Sequence, residues 1–301
     1  MLKGSLVEAV ENLLEKNDYI AFRYSGCFDI AARKEKTLFL KILQNVDSFS
    51  ESQARSLKII ARNINATALL VGQHTRRERL EKGVVYERFE VPTVSMQTLD
   101  EIISFDIFPK FQRDRGGFYV EIDSVALKNL RVEAGLTQRE LAEAVGVNKK
   151  TIYEHEKEQL RMDLTIAEKL EKLLEGKIVR QFIPPTFGSI ANAPSSRMER
   201  DVASALSKKG FSVDFVSSAP FDIFAKEKTV IISDVERIGG GKRTLNLERF
   251  IAVVKKPAFV VSEKTTEEHA QIPVIARKEL GNISKEEIIR IAKRAKVLKR
   301  I

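Results

Sequence analysis

Six of the seven residues 148–154 carry side chains able to read a nucleic acid: Asn148, Lys149, Lys150, Thr151, Tyr153 and Glu154, with Gln138 ten residues before the first of them. A lysine ammonium can donate to guanine O6 and N7, a carboxylate can accept from cytosine N4, and a glutamine amide can anchor to a phosphate oxygen. That chemistry needs a rigid element that projects the side chains from one face, and residues 136–158 spell one. Thr137 is an N-cap with Glu140 three residues on, so a capping box opens a first helix whose apolar positions are Leu141, Ala142 and Val145. Gly146 ends it and can take the positive φ of a tight turn, while small Ala142 permits a close crossing. Asn148 caps a second helix with Val147, Ile152 and His155 facing inward.

This stretch resembles the Cro/C1-type helix-turn-helix family. Leu127, Leu130 and Arg131 fall on a helix opening near Asp123, and Met162, Leu164, Ile166, Leu170, Leu173 and Leu174 on another ending at Gly176, so residues 123–176 make the whole bundle. The resemblance implies an ion pair between Arg131 of the first helix and Glu156 at the end of the recognition helix. It also implies that residues 148–157 enter the major groove of double-stranded DNA while Gln138 holds a phosphate. Such readers meet two half-sites as two-fold dimers, so a homodimer is expected. Where the family usually continues with Arg-Gly, this chain has Lys157-Glu158.

Charge qualifies the picture. The net charge is +9, yet Lys plus Arg minus Asp plus Glu is +1 for residues 1–122, −2 for 123–176 and +10 for 177–301. Phosphate neutralisation supplies most sequence-independent affinity, so residues 123–176 alone would hold DNA weakly, and a dimer or the C-terminal part must help. No apolar run of membrane-spanning length is present and the N-terminus is charged, which predicts a cytoplasmic protein with no membrane partner. The single Cys27 excludes an internal disulfide, and His74, His155 and His269 lack metal-ligand spacing.

An internal repeat flanks the bundle. Residues 19–43 match 212–235 with a one-residue gap, through Phe28-Asp29-Ile30 and Phe221-Asp222-Ile223, then Lys34-Glu35-Lys36-Thr37 and Lys226-Glu227-Lys228-Thr229. Helices are expected at 5–16, 51–63, 197–209 and 245–255, and buried strands at 68–71 and 258–261. The order α-β-β-β-α-β is a mixed α/β domain seen twice. It resembles the PD-(D/E)xK nuclease-like fold, which implies a divalent cation held by an Asp and an acidic-x-Lys triplet. Copy one keeps Asp29 and Lys41 but has Phe39 at the acidic place. Copy two keeps Asp222 and, by this alignment, has Ile231 and Ser233. A shifted register would instead offer Asp234 and Glu236, still without the Lys. No catalytic residues, metal or cofactor are therefore expected.

The full layout resembles an archaeal family of helix-turn-helix transcriptional regulators: α/β nuclease-like domains at 1–104 and 197–301, a β-hairpin connector at 105–122 acting as a spacer, the all-α bundle at 123–176, and an irregular linker at 177–196. Arg113 and Arg115 mark the hairpin tip. Gly239-Gly240-Gly241-Lys242-Arg243-Thr244 has Arg243 where a phosphate-binding loop needs Ser or Thr, and reads as a strand-to-helix connection. Arg76-Arg77-Glu78-Arg79 reads as a solvated loop. The last helix carries Lys293, Arg294, Lys296, Lys299 and Arg300, cations that its dipole favours. The expected function is sequence-specific transcriptional control by a homodimer, with the transcription machinery as a further partner. The alternatives are a metal-dependent nuclease targeted by its helix-turn-helix, or a bridging or coactivator protein.

Overall fold

The computed structural model describes residues 3–114, 117–158, 160–235, 241–263 and 271–295. Residues 1–71 with 185–301 form one compact unit and residues 72–184 another. Arg115 and Gly116, Glu236, Gly239 and Gly240, His269, and Lys296, Lys299 and Arg300 lie outside the described residues. Among the described residues, no helix is long and apolar enough to cross a membrane.

The chain opens with α1 (Lys3–Lys16), the strands β1 (Ile20–Arg23), β2 (Ile30–Arg33) and β3 (Thr37–Asn45), then α2 (Glu51–Ile64) and β4 (Thr67–His74). Ser50 and Gln53 close a capping box that starts α2, and Asn65 ends it in the left-handed conformation at φ 58°. β1, β2 and β3 form an antiparallel meander in which Ile30 pairs with Leu40 and Arg33 with Thr37.

The second unit holds β5 (Val84–Arg88), β6 (Val91–Ser95), α3 (Met96–Phe105), β7 (Phe111–Asp114), β8 (Gly117–Ile122), α4 (Ser124–Glu133), α5 (Gln138–Val145), α6 (Lys149–Lys157), β9 (Arg161–Asp163), α7 (Leu164–Leu173) and β10 (Val179–Arg180). Its helical bundle is built on a sheet. β8 pairs antiparallel with β7, β9 and β10, and its Val120 and Ile122 are buried with Leu127, Leu141, Ile152 and Leu170 in one core. The hairpin is thus a wall of the bundle rather than a spacer. Met162, expected on a helix, sits on β9 opposite Val120, and Ile178, expected in the linker, is buried in the same core. Glu171 fastens β10 by accepting from the backbone N–H groups of Ile178 at 2.9 Å and Val179 at 3.1 Å. Around Arg76 to Arg79, the Thr75 hydroxyl accepts from the N–H groups of Arg77 and Glu78, giving an ordered turn.

The chain returns to the first unit with α8 (Arg197–Lys208), β11 (Ser212–Phe215), β12 (Ile223–Lys226), β13 (Val230–Val235), α9 (Gly241–Val254), β14 (Ala258–Ser262), β15 (Val274–Ala276), α10 (Arg277–Leu280) and α11 (Lys285–Ala292). The sheet order is β11-β12-β13-β14-β15, with β13, β14 and β15 parallel. Lys242, Arg243 and Thr244 fall in the first turn of α9, and Lys293 and Arg294 in a turn after α11.

The repeat is present, but backbone pairing gives it a register different from the one the shared Lys-Glu-Lys-Thr string implies. Ile30 pairs with Leu40 as Ile223 pairs with Ser233, and Arg33 pairs with Thr37 as Lys226 pairs with Val230. From Phe28 onward the copies therefore correspond without a gap, and the one extra residue lies in the turn between β11 and β12. The shared Lys-Glu-Lys-Thr string is one residue out of register. Phe39 thus corresponds to Ile232 rather than Ile231, and Lys41 to Asp234 rather than Ser233.

Within the first unit, residues 1–71 of copy one pack on copy two. The N–H of Cys27 donates to Ser218 O at 2.8 Å, and Ser217 N–H donates to Ser56 Oγ at 3.1 Å. Arg62 and Asn63 of α2 both reach Asp214 Oδ2, at 2.6 and 2.9 Å, while Arg33 reaches back to Val254 O on α9 at 3.3 Å. Phe250 of α9 lies 5.8 Å from Phe28, 5.9 Å from Phe39 and 5.0 Å from Phe221, ring centre to ring centre. Each copy offers its second helix to the other, which is the reciprocity of a two-fold pair.

Candidate nucleic-acid interface

The start of α5 is set by two reciprocal bonds: Thr137 Oγ1 accepts from Glu140 N–H at 3.2 Å, and a Glu140 carboxylate oxygen accepts from Thr137 N–H at 2.8 Å. Gly146 stops the helix at φ 80°, and Asn148 Oδ1 accepts from Lys150 N–H at 2.8 Å to start α6. Ile152 and His155 are buried under α6. Burial lowers the His155 pKa and outweighs the backbone contact at Leu160 and the charge of Glu154.

The far end of α6 is clamped. Arg131 Nε and Nη2 donate to the two oxygens of Glu156 at 2.5 and 3.0 Å, Arg131 Nη1 donates to Leu136 O at 2.8 Å, and Gln138 Nε2 donates to Glu156 Oε2 at 2.7 Å. The ion pair that the family resemblance implies is present, and both side chains are almost covered, at 12% and 4% exposure. Burial pushes the Glu156 carboxyl up, but the bonds from Arg131 and Gln138 and the Arg131 charge outweigh it and hold the group below the usual carboxylate range. Three elements, α4, α5 and α6, are thereby fixed at one carboxylate.

This geometry sorts the expected site residues. Asn148, Lys149 and Lys150 are exposed at the N-terminal end of α6, the end that meets base edges in readers of this kind. Lys150 leans on Glu154 at 3.6 Å, and Tyr153 is 48% exposed with Lys157 Nζ 5.9 Å from its ring centre. Thr151 is half-buried, and Asn148 is already occupied as a cap. Gln138 is half-buried with one amide N–H committed to Glu156. The Lys157–Tyr153 contact was not foreseen, although a spacing of four on one helix is a signal for it. Arg113, expected at the hairpin tip, stacks on Phe118 at 4.7 Å.

The repeated acidic positions of the other unit are buried and already paired. In copy one Asp29 Oδ2 accepts from Ile42 N–H at 2.7 Å and lies 3.2 Å from Lys41 Nζ, which also donates to Gly26 O at 2.7 Å. In copy two Asp222 Oδ2 accepts from Val235 N–H at 2.9 Å, the matching bond. Arg243 places Nη2 2.5 Å from Asp222 Oδ1 and Nε 2.8 Å from Asp234 Oδ1. Burial pushes the Asp234 carboxyl up to about 8; Arg243 opposes that and Asp222 adds to it. The PD-(D/E)xK fold implies a divalent cation here, and the donor sets do not fit one. Copy one has a single carboxylate beside an ammonium, and copy two has two carboxylates bridged by a guanidinium. No group of three or more His, Cys, Asp or Glu among the described residues could hold a metal ion.

Sequence comparison agrees with both parts of this description. The family model for a PD-(D/E)XK superfamily domain matches residues 3–109, and that for a helix-turn-helix matches residues 127–179. A protein of Pyrococcus furiosus named "Putative HTH-type transcriptional regulatory protein" is 33% identical, over 94% of this chain and 95% of its own. Proteins of the same name from Methanobrevibacter smithii and Methanocaldococcus jannaschii are 30% and 28% identical, each over more than nine-tenths of both chains. No solved structure matches the chain. With a nuclease-like domain and a helix-turn-helix joined in one chain, and full-length likeness to these relatives, the protein belongs to this archaeal family of HTH-type, DNA-binding transcriptional regulatory proteins.

Proposed function

We propose that the protein binds specific sequences of double-stranded DNA by laying α6 in the major groove, works in the cytoplasm as a homodimer, and controls transcription without catalysing a reaction. The observation that carries this reading is the Arg131–Glu156–Gln138 clamp: it fixes one end of α6 while Lys149 and Lys150 at the other end stay exposed. Lys149 has no ion-pair partner among the described residues and is the first choice to donate to guanine O6 and N7. Lys150 must leave Glu154 to do the same, and Thr151 and Tyr153 flank them. Gln138 retains a second amide N–H for a phosphate oxygen. The homodimer needs a surface other than the one the two α/β copies use on each other. Selecting bound duplexes from a random pool tests the reading: wild type should enrich a two-part motif, and the Lys149→Ala, Lys150→Ala double variant should enrich none. An unchanged motif would remove these lysines from the readers.

A bridging role through protein contacts is favoured by the −2 charge of residues 123–176 and by exposed Val125 and Val132 on α4. In that case the purified protein would select no motif, while mapping in cells would still place it on DNA through the transcription machinery.

A further inference from the structure

The matched register of the two copies places Lys41 where Asp234 stands, and both copies tie the invariant part of the site, Asp29 or Asp222, to the same backbone position through Ile42 or Val235. What differs is the source of positive charge. Copy one draws it from β3 itself, with Lys41 at 4% side-chain exposure between Asp29 and Gly26 O. Copy two has a second carboxylate in place of that lysine, and takes its charge from the first turn of α9, where Arg243 spans Asp222 and Asp234. Asp234 is 1% exposed, and the guanidinium of Arg243, with Nε 2.8 Å from its Oδ1, is the cation beside it. Two carboxylates sharing one cation behind a buried strand is the electrostatic arrangement of a cation seat with the seat taken.

We infer that each copy fills its cation seat with a side chain of its own, Lys41 in the first and Arg243 in the second, so that Arg243 plugs the place between Asp222 and Asp234 that the fold gives to a divalent cation. Arg243 reaches this place from the first turn of α9 and is 41% exposed beside an open cavity of 440 Å³ lined also by Tyr24, Glu199, Ser217 and Ser218. Lys41 is enclosed on its own strand, and behind it stands one carboxylate rather than two. The inference is independent of the DNA-reading role, because it concerns only the α/β unit.

Mn²⁺ alone is the probe, with the full-length protein, read by thermal unfolding and by the electron paramagnetic resonance signal of free Mn²⁺. Wild type should show neither a rise in melting temperature nor uptake. Arg243→Gln should bind Mn²⁺ at least about tenfold more tightly than wild type and be stabilised by it, as a ligand specific for the folded state must do. That gain should vanish in Arg243→Gln, Asp234→Asn. Lys41→Met should gain nothing, and Arg243→Lys should behave as wild type. Uptake by wild type that Asp222→Asn abolishes would overturn the inference, as would an Arg243→Gln protein that folds and takes up no more Mn²⁺ than wild type. If Arg243→Gln does not fold, rescue of folding by Mn²⁺ supports the plug and failure of rescue counts against it.

Discussion

Arg131 and Glu156, 25 residues apart, meet through two parallel hydrogen bonds of 2.5 and 3.0 Å, and the same carboxylate takes a third from Gln138. Truncating the arginine leaves an almost covered carboxylate with only the amide for company. Arg131→Ala should lower stability of the helix-turn-helix by about 3 kcal/mol, the usual cost of removing one partner of a buried pair. Differential scanning calorimetry of the full chain checks it. An unmoved transition would mean the pair contributes nothing.

The same carboxylate sets a pH response. Its folded pKa is depressed, so its contribution is fully present above the unfolded carboxylate value and is lost as pH falls through the folded value. The unfolding transition of residues 72–184 should therefore lose ground below about pH 4.5, and Glu156→Gln should flatten that part of the profile. A variant profile parallel to wild type in this window would reject the assignment.

At the reading end, Lys149→Ala should reduce discrimination between the preferred sequence and a single base-pair change by about 1–3 kcal/mol. Lys150→Ala should cost less, because Lys150 would have to give up Glu154 to reach DNA. Competition binding at fixed salt ranks the two. The opposite order would make Lys150 the principal reader.

Gly26 sits where the copies touch. A Cβ there would lie 2.0 Å from Ser218 O, a backbone atom that cannot swing aside. Gly26→Ala should cost about 1–3 kcal/mol as an overpacked contact and should lower the urea midpoint of the α/β unit without changing the pH profile assigned to Glu156.

The sequence was most legible where several local signals coincide. Thr137, Glu140, Gly146 and Asn148 each have a side-chain or backbone job within three residues, and all of them sit as their types require. The pairing of Arg131 with Glu156 was legible only by likeness, since nothing local joins residues so far apart in the chain. Residues 161–163 and 179–180 were not read as strands, because two or three residues paired to β8 leave no period of their own. The alignment of the repeat failed for a different reason. Lys-Glu-Lys-Thr occupies a turn, where composition is cheap to repeat, whereas the register is fixed by backbone pairing of Ile30 with Leu40 and Ile223 with Ser233. Once that pairing is used, Asp234, which the sequence offers only through a shifted register, moves into the site, and Arg243, which reads there as part of a strand-to-helix connection, follows.

The reciprocal packing of the two α/β copies has a consequence for how this protein responds to its own abundance. Two halves carried on one polypeptide meet at an effective concentration set by the chain between them, not by the number of molecules in the cell. This half of the assembly is complete at any dilution. Dosage can then act on DNA occupancy through the encounter of the protein with DNA, and through any pairing of one molecule with another, but not through this contact.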